Sequence, residues 1–237
     1  MTLTISPITS PQDFNKIHPM DHIAWQTPYN PQLKHFRPQL SDPEEAIAWT
    51  HARDTKRFRE RGDHVFMIKA TDDATGEIVG WAVWEVEGGQ QERTVASWYP
   101  EGSEERAFAE IFINGLWGFI GGRVGGRRCL DLASIVVAPE HRGRGAARLL
   151  IRWGTAKADE LGIETVISSL PSAKGVYERC GFGAIEVLPP DPELWVEREG
   201  RGDKWKELLE DDLSGWLMWR PVGRDWKEGD RAPWVDA

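Results

Sequence analysis

The sequence is poor in cysteine and contains no long hydrophobic run. Its two cysteines, Cys129 and Cys180, are too few for a disulfide framework, and they lack the spacing of metal ligands. We therefore expect a reducing compartment, the cytoplasm, and no bound metal. The most apolar stretch, residues 108–120, contains Glu110 and Asn114 and is too short to cross a bilayer. No membrane partner is expected.

Basic residues are outnumbered by acidic ones, 29 against 38, which gives a net charge of −9. Nucleic-acid-binding domains are usually basic, so we expect no nucleic-acid partner. The negative charge favours a cationic, amine-bearing substrate instead. A length of 237 residues suits one domain with elaborations. The first twenty residues lack the apolar segment of a signal peptide.

The most informative stretch is residues 139–150, which read PEHRGRGAARLL. An apolar run at 132–137 precedes it and predicts a strand, and a helical pattern follows the two glycines. The first amides of a helix have no intrahelical partner and carry the positive end of its dipole. Glycines let a phosphate approach the backbone, and arginines add charge-assisted hydrogen bonds. The stretch therefore predicts a site for a phosphate-bearing cofactor.

The spacing in this stretch distinguishes between cofactor motifs. It fits neither G-x-G-x-x-G nor G-x-x-x-x-G-K-[ST], but Arg142, Gly145 and Ala147 satisfy R-x-x-G-x-[GA]. A second element, VYERCGF at 176–182, follows after one predicted helix and one predicted strand. Together they resemble the acetyl-CoA pyrophosphate motif and the closing L-Y-x-x-x-G-F element of the GCN5-related N-acetyltransferase (GNAT) family. The elaborated form of the chain is similar to fungal members.

The resemblance implies a fold. It is a mixed central β-sheet flanked by helices, with the fourth and fifth strands parallel and splayed apart. We expect one domain over residues 1–220, with its motif core at 64–187 and a tail at 221–237 that is either loosely ordered or packed back. A helix beginning at Ser103 and ending at the glycines of 121–126 would be an elaboration before the fourth strand. Residues 188–212 would be an insertion before the last strand. A monomer or a homodimer is expected.

The resemblance also implies acetyl-CoA as co-substrate and direct transfer of its acetyl group to an amine. The main chain of the fourth strand would align the pantetheine arm, and the turn that follows would hold the pyrophosphate, with the side chain of Arg142 on an anion. The cofactor-binding residues are then Ile135, Val136, Val137, Arg142, Gly143, Arg144, Gly145, Ala146 and Ala147.

Two side chains are catalytic candidates by the same resemblance. Tyr177 occupies the position of an acid that protonates the leaving thiolate, or it is a packed tyrosine. Asp131 has the spacing of a base that accepts the amine proton, or it is a hydrogen-bonded strand carboxylate. Glu85, with Ser134 or Ser168, could hold a water relay instead. Leu170 stands where relatives carry a polar residue, which puts one pantetheine hydrogen bond in doubt.

Three functions stay open at this point. The first is an N-acetyltransferase acting on a small-molecule amine. The second is an acyl-CoA-binding module without catalysis, and the third is a protein or peptide N-acetyltransferase. The acceptor surface is expected in the proline-rich loop 27–43, the last strands and their insertion.

Overall fold

The structure is a computed structural model that describes residues 2–37, 42–87, 93–189, 191, 193–194 and 201–235. Its framework is a seven-stranded mixed sheet with the order β1-β2-β3-β4-β5-β7-β6. The strands are β1 (Leu3–Pro7), β2 (Val65–Asp72), β3 (Ile78–Glu87), β4 (Cys129–Val137), β5 (Glu164–Ser169), β6 (Gly183–Leu188) and β7 (Gly215–Arg220). The described α-helices are α1 (Phe14–Trp25), α2 (Leu33–Phe36), α3 (Pro43–Glu60), α4 (Glu104–Val124), α5 (Ala146–Leu161), α6 (Lys174–Glu178) and α7 (Asp203–Leu208).

The middle of the sheet opens between β4 and β5. These strands are parallel, as expected for strands joined by a helical crossover, but they pair only at Cys129–Glu164 and Leu130–Thr165. Beyond Leu130 the strands separate, while β4 stays paired with β3 through Val137. A register shift between Val83 and Trp84 of β3 bends this part of the ladder. The predicted mixed sheet with parallel, splayed fourth and fifth strands is confirmed.

Helices cover both faces of the sheet. Leu130 and Leu132 of β4 pack with α5 and α6 on one face. On the opposite face, α1 and α3 cover β2, β3 and β4, and α4 covers β5, β6 and β7. Because side chains alternate along a strand, Asp131 lies on the face of α1, α3 and α4. On that face the gap between β4 and β5 lies between α1 and α3 on one side and α4 on the other.

The predicted elaboration before the fourth strand is α4. The hydroxyl of Ser103 accepts a hydrogen bond from the Arg106 amide and caps its start, and Gly125 in the left-handed conformation ends it. A separate apolar cluster joins α4 to α7 through Phe108 and Trp205, whose ring centroids are 5.1 Å apart. The insertion before the last strand therefore packs on α4, as far as the described residues extend.

The tail packs back onto β6. The Trp234 indole donates to Glu186 Oε1 at 2.6 Å, and the Trp226 amide donates to the Gly181 carbonyl at 2.9 Å. Of the two alternatives for this segment, the described part adopts the packed one. Within the described ranges, no helix combines the length and the apolar character that crossing a membrane requires.

The packing of α5 on the sheet leads to a stability prediction. Gly154 of α5 lies against the buried indole of Trp84, and a Cβ added there would be 2.0 Å from Trp84 Cε2. Gly154→Ala must displace this ring, so we expect a loss of about 1–3 kcal/mol in the free energy of unfolding. Gly118→Ala in α4 is the control, since a Cβ there meets nothing within 4 Å. It should stabilise by roughly 0.5–1 kcal/mol. Urea denaturation of both variants measures the difference, and equal stabilities would contradict the packing argument.

Candidate active site

The turn between β4 and α5 is built to face an anion. Gly143 and Gly145 have φ values of +77° and +89°, which favour glycine over any residue with a Cβ. A Cβ at either position would meet nothing within 4 Å, so the space in front of both is open. Gly145 caps α5, whose first amides have no intrahelical partner. Open backbone at the positive end of a 16-residue helix fits a pyrophosphate.

A cavity of about 1120 Å³ extends from this turn into the splay. Ligand pockets typically enclose roughly 300–1,000 Å³, so this one has room for a large cofactor and part of a second substrate. The structure brings most of the predicted cofactor residues together in its wall: Ile135, Val136, Val137, Arg142, Gly143, Gly145, Ala146 and Ala147. Arg144 lies outside the lining, and its guanidinium contacts His141 Nδ1 at 2.9 Å.

The side chain of Arg142 makes contacts that the motif did not indicate. Its guanidinium donates to the carbonyls of Val137 at 3.2 Å, Ala24 at 2.9 Å and Thr27. These carbonyls belong to the end of β4 and to the end of α1 with the segment after it. The Arg142 guanidinium therefore binds backbone oxygens of two parts of the chain, while the open space in front of α5 is bordered by the main chain of the turn. The local sequence could not predict these contacts, because Ala24 and Thr27 are more than 100 residues away from Arg142 in sequence.

Tyr177 lies in the wall of the cavity and is 6% exposed. Its ring packs edge-on against Phe182, with centroids 6.0 Å apart, and its hydroxyl has no hydrogen-bond partner among the described residues. Burial, and next the negative charge of Asp131, raise the pKa of this phenol. The hydroxyl therefore stays protonated and can donate to a group in the cavity. These contacts are compatible with both predicted roles of Tyr177, the acid that protonates the thiolate and the packed tyrosine.

Asp131 is the first β4 residue beyond the last pair with β5. Glu85 lies directly opposite it on β3, and the Arg57 guanidinium of α3 donates to Glu85 at 2.9 Å. Burial, followed by the charges of Glu87 and Glu85, raises the pKa of the Asp131 carboxyl to about 8. Asp131 is not part of the cavity wall, but it lies close enough to act on the pKa of Tyr177. A carboxyl with a pKa near neutrality is suited to proton transfer.

The other relay candidates are placed less favourably. The Ser134 hydroxyl is buried without a described hydrogen-bond partner, and Ser168 is partly buried opposite Leu217 on β7. Leu170, which stands where relatives carry a polar residue, lines the cavity together with Pro171.

One wall of the cavity comes from the segment after α1. Trp25, Pro28, Tyr29 and Pro31 line it, and they belong to α1 and the start of the loop that was expected to form the acceptor surface. The rest of that loop includes α2, and residues 38–41 lie outside the described residues. Asp212, which the motifs did not indicate, lies in the lining as well. It ends the insertion 188–212, in which part of the acceptor surface is expected, but no motif singled it out, because its position depends on how the insertion folds back.

Comparisons with known proteins identify the family and the fold. The model of the acetyltransferase (GNAT) family matches residues 20–182. Among solved structures, the chain is similar to a histone acetyltransferase HPA2 and related acetyltransferase from Corynebacterium glutamicum, with 19% identity, a TM-score of 0.57, and coverage of 96% of this chain and 100% of the other.

Two further solved structures are similar to the chain. A mosquito arylalkylamine N-acetyltransferase like 5b has 13% identity and a TM-score of 0.54, with 92% of this chain and 99% of the other covered. Naa20 of Chaetomium thermophilum, in complex with a bisubstrate analogue, has 15% identity and a TM-score of 0.52, with 96% and 94% covered. At these identities the similarity concerns the fold. No curated protein matches the sequence.

Proposed function

The chain belongs to the GNAT family of acetyltransferases, and on that premise we propose that it transfers an acetyl group from acetyl-CoA directly to the amine of a small molecule. The observation that carries the proposal is the single cavity that joins the turn at Gly145 to Tyr177 through the splay. The phosphate site at one end of the cavity suits the pyrophosphate of coenzyme A, and the protonated phenol at the other end suits its sulfur.

The edge of β4 that faces β5 supports a place for the pantetheine arm. Residues 135–137 pair with β3 on one side, whereas the pairing with β5 ends at Leu130. Apart from the Val137 carbonyl, which accepts from Arg142, backbone groups of residues 135–137 that face the open side are therefore available to an extended amide chain, as an added strand would be. An amide of this edge would also polarise the thioester carbonyl.

Asp131 and Tyr177 would supply the proton transfers. The amine nitrogen attacks the thioester carbon and gives a tetrahedral intermediate, while its proton passes to Asp131 directly or through a water. The carbon–sulfur bond then breaks, and the thiolate takes a proton from the Tyr177 hydroxyl. The proton on Asp131 then returns to the Tyr177 phenolate through water, which restores both groups. The products are the acetylated amine and coenzyme A, and no further reactant is needed.

One observation favours a second candidate, an acyl-CoA-binding module without catalysis. Leu170 lines the cavity where relatives have a polar contact to pantetheine, so the arm would be held with one hydrogen bond fewer. Binding of acetyl-CoA without acetylation of any amine would support this candidate over the enzyme. Calorimetric titration with acetyl-CoA, followed by thiol release on a panel of amines, separates the two.

Tyr177→Phe tests the role of the phenol. We expect kcat to fall roughly 100-fold, because general acid catalysis contributes at least about that factor. The Kd of acetyl-CoA should stay within about twofold, since the ring still packs on Phe182. Calorimetry gives the Kd, and the rate of thiol release with a saturating amine gives kcat. An unchanged kcat would assign Tyr177 to packing.

A further inference from the structure

Residues 223–226, named the clasp here, pack on the turn between α6 and β6. The Trp226 amide donates to the Gly181 carbonyl at 2.9 Å, and a Cβ added to Gly181 would lie 2.2 Å from Asp225 Oδ1. A Cβ added to Gly183 would lie 2.4 Å from Trp226 Cδ2. The φ of Gly183 is not positive, so there the contact with the indole, and not the backbone conformation, excludes a side chain.

The other side of the clasp is bound to α5 and β7. Asp225 accepts hydrogen bonds from the Arg152 guanidinium of α5, at 3.2 and 3.4 Å, and from Arg220 Nε of β7 at 3.4 Å. Arg220 is buried and donates twice to Asp159 of α5, both times at 2.8 Å. The Gly223 amide donates to Asp159 Oδ1 at 2.7 Å. The clasp therefore connects α5 to the turn after α6.

The turn under the clasp is bonded directly to Tyr177. The amides of Cys180 and Phe182 donate to the Tyr177 carbonyl at 2.8 and 3.2 Å, and the Phe182 ring packs against the phenol. Gly181, whose carbonyl the clasp binds, lies between Cys180 and Phe182 in sequence. Tyr177 and Cys180 line the cavity, whereas no residue of the clasp does. The clasp therefore touches the support of the phenol and not the reacting atoms.

The position of α6 depends on its contacts because the helix is short. It has five residues, and no side chain caps its start. An isolated helix of this length is not stable in water, so packing fixes its position. In the proposed reaction the phenol donates to the thiolate, and a misplacement of about 1 Å can lower a rate roughly 100-fold. A movement of α6 that is too small to change the fold would therefore change the rate.

We propose that Asp225 and Trp226 are positioning residues for acetyl transfer, which hold the Tyr177 hydroxyl where it can reach the sulfur of the cofactor. This inference rests on the proposed function. The clasp ties the turn after α6 to α5, the helix whose first residues border the phosphate site, so the two ends of the cavity keep a fixed separation. Releasing the clasp moves the phenol and leaves the phosphate site intact, because the turn before α5 forms that site.

Trp226→Ala tests this inference, because it removes the indole from Gly183. With the best substrate of a panel of alkylamines and arylalkylamines, we expect kcat for thiol release to fall about tenfold, within the range that a misplaced catalytic group causes. The Kd of acetyl-CoA should stay within about twofold. In a Tyr177→Phe background the same change should lower kcat by less than about twofold, since the hydroxyl that the clasp positions is already absent.

Gly183→Ala tests the same contact from the other side, without removing a large side chain. Its Cβ would displace the indole, so kcat should fall as in Trp226→Ala. Combining the two changes makes room for the added methyl group, so the double variant should lower kcat no further than Trp226→Ala alone.

Trp234→Ala is the matched control, since it makes the same change in the same tail. The described contacts of this indole are with Trp219 and Glu186. The control should lower the melting temperature and keep the wild-type kcat.

The clasp inference is overturned if Trp226→Ala and Gly183→Ala keep the wild-type kcat, or if the control loses as much as they do. It is also overturned if Trp226→Ala lowers kcat by the same factor with and without the Tyr177 hydroxyl, or if the Kd of acetyl-CoA rises by that factor. In each of these cases the acetyl transfer by the wild type still supports the proposed function. A wild type that binds no acetyl-CoA, or binds it and acetylates no amine of the panel, overturns the proposed function and the clasp inference with it.

Discussion

Gly145→Glu is expected to raise the Kd of acetyl-CoA at least about 100-fold, which corresponds to about 2.7 kcal/mol. Gly145 has a φ of +89° and no atom within 4 Å of its absent Cβ, so the added side chain enters the space in front of α5. Its carboxylate would occupy the anion site at the helix N-terminus and repel the phosphates. Calorimetric titration with acetyl-CoA and with coenzyme A measures the loss.

The control for this variant separates the ligand effect from backbone strain. Gly102 has a φ of +79°, also with nothing within 4 Å of an added Cβ, and lies before α4 outside the cavity. Gly102→Glu carries the same charge and a similar strain, roughly 1–2 kcal/mol for a left-handed residue with a side chain. Both variants should lose similar thermal stability, but only Gly145→Glu should lose affinity. Wild-type affinity in Gly145→Glu would place the cofactor elsewhere.

The turn could be predicted because its determinants are local. A strand that ends before Pro139, glycines at two left-handed positions and a helix with one apolar stripe all lie within about 25 residues. At this turn the local signals agree with the fold around them, and such agreement makes a local pattern informative. The parallel pairing of β4 and β5 follows from the crossover between them. The separation of β4 and β5 was predicted through the resemblance to the family, because no local pattern specifies it.

The side chains of the site depended on contacts that no local pattern contains. Arg142 donates to carbonyls 115 and 118 residues away. The carboxylate opposite Asp131 depends on the register of β3 and β4, which shifts between Val83 and Trp84. A slip of one residue reverses the faces of a strand, so Glu85 could be named as a candidate but not placed.

Asp131→Asn is expected to lower kcat/KM by about 10²–10⁴-fold, the usual contribution of a positioned base. The base must be ionised, and the pKa of this carboxyl is raised to about 8, first by burial and then by Glu87 and Glu85. Activity of the wild type should therefore rise with pH and level off above about 8. The Asn variant should lose this ionisation. Profiles of kcat/KM for acetyl transfer between pH 6 and 10 measure both effects.

Arg57→Gln provides the matched test, because the positive charge of Arg57 lowers the pKa of Asp131. Removing that charge should move the rising limb to higher pH without abolishing activity.

Stability gives an independent readout. Since the folded-state pKa is raised above the usual aspartate value, the folded protein binds the extra proton, and stability falls as the pH rises from about 4 to 8. Asp131→Asn should therefore melt at a higher temperature than the wild type at pH 8 and lose that advantage near pH 4. If the Asn variant keeps both the wild-type rate and its pH profile, Asp131 is a strand carboxylate, and the amine proton must leave by another route.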